Sequence, residues 1–223
     1  MSFNRLHSTT MLSCANRPSK PGKLSASEAR QTTLLYRKIR FREKMNIDKN
    51  KLVKLFLLFI PAAFASYLFH EFGHWTIGEV LGNEMVYSLN NASPKSGSYI
   101  NASDNLYVSI GGPLFTILLS VLFLVIIEKF NTIYAYPFVF FQMFTRFFSL
   151  FLGVFSNQDE ARISAILGIG TYTIAIVVLL ILLLPVLRAS YKLKINFKYN
   201  GYFFTMSTLS QLLVIATYKI FSL

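Results

Sequence analysis

Apolar residues in this chain gather in long blocks separated by short polar breaks. The first block is residues 52–69, interrupted by one charge, Lys54, and carrying Pro61. A helical pattern continues past it through HEFGHWTIGEVLG to Gly82. Residues 106–127, 133–155, 163–187 and 201–223 form four more blocks. Each is close to the ~20 residues that cross ~30 Å of hydrocarbon. The pattern predicts an all-α fold, a polytopic helical membrane protein with about five transmembrane helices. Pro61 is expected to kink the first, which a membrane helix tolerates. Residues 83–105 are rich in Asn, Ser and Gly and read as a loop with room for a short hairpin. Residues 156–162, SNQDEAR, make a short polar break, and residues 188–198 a basic one.

Composition agrees with that pattern. Of the 223 residues 53% are hydrophobic and 14% charged, and the mean hydropathy is +0.47. Soluble domains are about 45–50% apolar and about 25% charged. A disordered chain is excluded, since disorder needs low hydrophobicity and high net charge. An ordinary soluble enzyme is disfavoured for the same reason.

Charge adds an orientation. The net charge is +12, and residues 1–50 hold 11 of the 22 Lys/Arg against 3 of the 10 Asp/Glu. This polar leader is broken by Pro18 and Pro21, and its first 27 residues lack any acid. It resembles a transit peptide, and equally a start placed upstream of Met45. We read residues 1–50 as a basic, disordered leader and 51–223 as the membrane-embedded domain. The leader has no nucleic-acid-binding motif, so the expected partner is the bilayer and no nucleic acid. By the positive-inside rule the leader and the 188–200 loop face the cytoplasm, and residues 83–105 and 156–162 face outward. Cys14 is the only cysteine, which excludes an internal disulfide and a thiolate metal cluster.

Candidate chemistry sits at the end of the first block. His70, Glu71 and His74 form H-E-F-G-H. On a helix, positions four apart share one face, so both imidazoles can reach a single Zn²⁺. Glu71 then stands beside the metal, where it can take a proton from water. Gly73 leaves room for another backbone to approach. Ionisable groups in a membrane helix cost about 2.5–3.5 kcal/mol each, which argues for a site over decoration. A third ligand should be a carboxylate, because the one other histidine, His7, lies in the leader. Glu79 falls off the helical face, Glu84 and Asp104 lie in the polar loop, and Glu128 adjoins Lys129. Asp159 and Glu160 form the acidic cluster between two apolar blocks. Asp159 is preferred, Glu160 stays open, and a helix N-cap is the structural alternative for Asp159. Arg146, in the third block, could pair with either acid. The many Phe of that block read as packing. Gly111-Gly112-Pro113 allows close backbone approach at a helix start.

HEFGH in an apolar helix, GGPLFTILLS opening a later one, and a distal Asp near a third resemble the site-2 protease family of intramembrane zinc metalloproteases. The resemblance covers residues 52–167, about half the chain. It implies a three-helix catalytic core, with zinc on His70 and His74, Glu71 as catalytic base, and a third-helix Asp completing the site. Asp159 matches that Asp by order. The family's third motif usually has an Asn and a Pro before an Asp-Gly pair. Here it reads Ser156-Asn157-Gln158-Asp159-Glu160-Ala161, with no Pro and no following Gly. No stretch between the blocks accommodates a PDZ-type insertion. The charge-derived orientation puts His70 ~27 Å along the first helix, near the outer face, whereas the family's site lies nearer the cytoplasm.

The expected function is zinc-dependent hydrolysis of peptide bonds in membrane-spanning or membrane-anchored substrates, in a bacterial-type inner membrane. The alternative is a catalytically inactive, metal-binding membrane protein that regulates a partner. A small transporter needs polar residues spread over several helices, and the last two blocks have few.

Overall fold

The computed structural model describes residues 47–152 and 158–221. The leader up to residue 46 lies outside the described residues, and the described residues belong to one compact unit. That unit is mostly helical among its described residues.

Helix α1, Lys49–Val80, starts where the Asp48 side chain accepts the Lys51 N–H at 2.7 Å. It runs as one helix through Pro61 and carries the whole H-E-F-G-H motif in its last third. Gly82, at φ +87°, turns the chain out of it. Strands β1, Met85–Tyr87, and β2, Ala92–Pro94, then form an antiparallel hairpin in which Val86 faces Ser93. Helix α2, Asp104–Phe130, follows and packs along α1. A 3-10 turn, Ile133–Ala135, leads into α3, Tyr136–Leu152. Helices α4, Asp159–Ile166, α5, Thr173–Lys192, and α6, Phe197–Phe221, complete the fold.

Two expectations are corrected. Gly111-Gly112-Pro113 does not open a helix; α2 begins at Asp104 and carries Pro113 in its interior. The upstream start is fixed by side chains. Asn83 donates to Asp104 Oδ2 at 3.0 Å and accepts the Ile100 N–H at 2.8 Å, while the Asn101 N–H reaches the same carboxylate oxygen at 3.2 Å. The block 163–187 is likewise two helices. Its first part belongs to α4, Gly168 turns the chain at φ +66°, and α5 begins at Thr173. A hydropathy pattern records only apolarity and does not resolve such a turn between apolar residues.

By length and composition three helices, α1, α2 and α5, can cross a membrane. Helix α3 has 17 residues and carries Arg146; α6 has 25 and carries Asn200, Gln211 and Lys219. The outward faces of the long helices expose Leu57, Leu118, Leu122, Val125, Leu180, Leu184 and Leu187. Soluble monomers rarely leave such continuous apolar surface open, and the belt is consistent with a membrane protein.

The core supports the packing role expected for the Phe-rich block. Phe140, Phe141 and Phe144 of α3 are buried with Phe59 of α1 and Phe203 of α6. Tyr136 is fully buried, its hydroxyl donating to Asn200 Oδ1 at 2.7 Å and lying 2.7 Å from Ser190 Oγ. At one end of the bundle Tyr199 Oη accepts the Ile47 N–H at 2.9 Å, and Arg188 pairs with Glu128 at 2.6 Å. The start of α1 and the basic 188–198 segment therefore share that end. The histidines stand toward the other.

Candidate metal centre

His70 and His74 leave α1 one turn apart, and their Nε2 atoms lie 3.2 Å from each other. Asp159, the first residue of α4, brings Oδ2 to 2.9 Å from His70 Nε2 and 3.1 Å from His74 Nε2. These three ligand atoms form a near-equilateral triangle that could hold a metal ion. Ligands of a tetrahedral zinc, at 2.0–2.2 Å, stand roughly 3.3 Å apart, close to the observed edges.

The donor set suits a cation on further grounds. His74 Nδ1 lies 2.6 Å from the Val108 carbonyl of α2. A carbonyl only accepts, so Nδ1 carries the proton and Nε2 keeps its lone pair for a ligand role. Thr116 Oγ1 gives its hydrogen to the Gly112 carbonyl at 3.0 Å and lies 3.1 Å from His70 Nδ1. Gly112 makes the cradle. A Cβ there would overlap His74 Nε2 and His70 Cε1 well inside contact distance. The backbones of α1 and α2 touch beside it, where a Cβ on Gly73 or Gly111 would strike the other's backbone. Both close approaches were visible as glycines in the sequence.

Asp159 is not a cap. The N-cap of α4 is Gln158, without a capping side-chain bond, and Asp159 turns to the histidines instead. Its Oδ1 lies 3.6 Å from Arg162, three residues on, and Arg162 also donates to Ser109 Oγ at 3.2 Å. Glu160 points elsewhere, receiving Arg146 Nη1 at 2.9 Å and 3.2 Å in a buried pair. The other carboxylates considered have separate duties. Glu79 accepts the Met85 N–H, Asp104 holds the loop, Glu84 faces Lys95 at the surface, and Glu128 binds Arg188.

Glu71 is 9% exposed, and its carboxylate forms no hydrogen bond or ion pair with another described residue. It lines a cavity of about 680 Å³ together with His70, His74, Asp159 and Arg146. The hairpin tip, Asn90 and Asn91, and Tyr99 form part of the same wall. Tyr99 keeps its hydroxyl proton beyond the usual phenol range, chiefly because burial disfavours the phenolate. Arg146 Nη2 comes to 2.9 Å from His70 Nδ1 and 3.5 Å from its Nε2, so a donor-only guanidinium flanks the histidine.

Three contributors were missed in the sequence. The Val108 carbonyl leaves no side-chain signature. Thr116, four residues after Gly112, and Arg162, three after Asp159, could have been found by extending helical spacing from those positions. Comparison of the chain with protein-family models, curated proteins and solved structures finds no match.

Proposed function

We infer that the chain is a zinc-dependent intramembrane peptidase of the site-2 protease type. The observation that carries this is the convergence of His70, His74 and Asp159 within a 3.2 Å triangle, with the otherwise unengaged Glu71 on the same cavity. The site rests on a helix apolar enough to cross a membrane. On this reading α3 and α6 also lie in the bilayer, giving five spans.

Two neutral imidazoles and one carboxylate suit zinc and leave one position open. Bound there, zinc would supply Lewis acidity, lowering the pKa of a water and polarising a peptide carbonyl. Glu71 takes a proton from the attacking water and returns it to the departing amine. The His74–Val108 contact holds that imidazole in one tautomer throughout. Arg162 orients Asp159. The hairpin tip and Tyr99, both within the polar 83–105 loop, line the cavity, where they limit entry of water and chain. The substrate is a membrane segment unwound locally, since a peptide bond within an intact helix is shielded by its neighbours.

Glu71→Gln tests the assignment. Cleavage of a labelled membrane-spanning peptide in proteoliposomes should fall to background while zinc content stays at the unsubstituted level. Retained cleavage by Glu71→Gln would overturn the mechanism. Stoichiometric zinc without cleavage by the unsubstituted protein would favour the regulatory reading, which the divergent 156–161 segment supports.

A further inference from the structure

The cavity extends beyond the metal centre along α1 toward its middle. One turn before His70 and Glu71, Ser66 and Tyr67 present their hydroxyls to two glutamines from other helices. Gln142 of α3 donates Nε2–H to Ser66 Oγ at 2.5 Å, and Gln211 of α6 donates Nε2–H to Tyr67 Oη. All four residues line the cavity.

The direction of the first amide is fixed by its partner. Ser66 gives its own hydrogen to the Ala62 carbonyl at 2.6 Å, so its oxygen can only accept. Gln142 must therefore face it with the NH₂ and turn Oε1 elsewhere. Gln142 Oε1 and Gln211 Oε1 both lack a hydrogen-bond partner among the described residues, although the side chains are 0% and 5% exposed. Buried carbonyl oxygens are rarely left so. Gln142 Oε1 is thus an unpartnered acceptor of fixed direction, and Gln211 stands on the same cavity with its amide against the Tyr67 hydroxyl.

We propose that Gln142 and Gln211 form a substrate subsite whose free carbonyl oxygens accept backbone N–H groups of an unwound peptide. The ligand class follows from chemistry. Unwinding a membrane helix releases N–H donors that lipid cannot satisfy, and these oxygens can only accept. The spacing fits as well. Four residues of α1 span ~6 Å, and two residues of an extended peptide span ~6.6 Å. A peptide lying along α1 with one carbonyl at the histidines places the N–H about two residues away beside the glutamines. The subsite rests on the peptidase reading for its substrate.

The test uses protein carrying Glu71→Gln in nanodiscs, loaded with zinc. The probe is a fluorescein-labelled apolar peptide with a central Asn-Gly-Ser segment, beside a twin N-methylated across that segment. The unmethylated peptide should bind about tenfold more tightly, the scale of one or two hydrogen bonds. Adding Gln142→Leu or Gln211→Leu should remove that preference without loss of zinc. The methylated twin on glutamine-intact protein gives a readout independent of whether the Leu variants fold. Absence of peptide binding would overturn the subsite. So would a preference unchanged in folded Leu variants, as expected if the glutamines hold only water. The same peptide given to protein with Glu71 intact separates the two claims. Binding without cleavage removes hydrolysis and keeps the subsite; cleavage with no role for the glutamines does the reverse.

Discussion

Asp159 and Glu160 are neighbours in sequence with opposite assignments. One turns to two histidines, the other to a buried guanidinium. Glu160→Gln should keep the metal but lower stability. Breaking a buried pair typically costs about 3–5 kcal/mol, and thermal unfolding beside metal analysis would check both halves. Equal metal loss from Glu160→Gln would place Glu160 at the site. Gly112 makes a second residue-level prediction. A methyl there overlaps both imidazoles, so Gly112→Ala should lose metal while the helical circular dichroism persists. The sequence made His70, Glu71 and His74 legible because helical spacing alone aligns them. It narrowed the third ligand to two acids and preferred Asp159 without excluding Glu160. The choice depends on which way the first turn of α4 faces, and that depends on Arg146, 14 residues earlier in the chain.

Elements were legible where one force dominated. Helix α1 was readable from apolarity and carries Pro61 within one helix, as a helix able to cross a membrane tolerates. The start of α2 was not, because a polar cluster at Asn83, Asn101 and Asp104 sets it. Asn83→Ala leaves the Asp104 carboxylate short of a donor. It should destabilise by about 1–3 kcal/mol and speed proteolysis between Ser96 and Ser103. Unchanged stability and protection would remove this cluster as the loop's anchor. At the α1–α2 crossing, Gly73→Ala drives a methyl into the Gly111 carbonyl. Overpacking of this kind costs about 1–3 kcal/mol or more, readable as a lower midpoint in denaturant. The split of the 163–187 block shows the converse limit. A turn at Gly168 lies between residues as apolar as those of a continuous helix.

Among the described residues, the basic 188–198 segment and the start of α1 gather at one end, and the hairpin tip with the candidate metal centre lies toward the other. Charge counting anticipated that the 188–198 segment shares an end with the start of α1; the leader lies outside the described residues. It did not anticipate which helices meet around the cavity, since α1, α3 and α6 are brought together by aromatic packing that no local pattern encodes. Cys14 is the one native cysteine, so single cysteines can be placed in a Cys14→Ser background. An impermeant maleimide should label Lys49→Cys and Lys194→Cys from one side of the membrane and Asn91→Cys from the other. Labelling of all three from the same side would contradict a bundle that crosses the bilayer end to end.

Metal analysis of the purified, detergent-solubilised protein tests the central claim most directly. The unsubstituted protein, given zinc and then dialysed, should retain about one ion per chain through the three ligand atoms at the site. His74→Ala and Asp159→Ala should each retain almost none. No zinc on the unsubstituted protein, or full retention in both variants, would contradict a metal centre built from His70, His74 and Asp159.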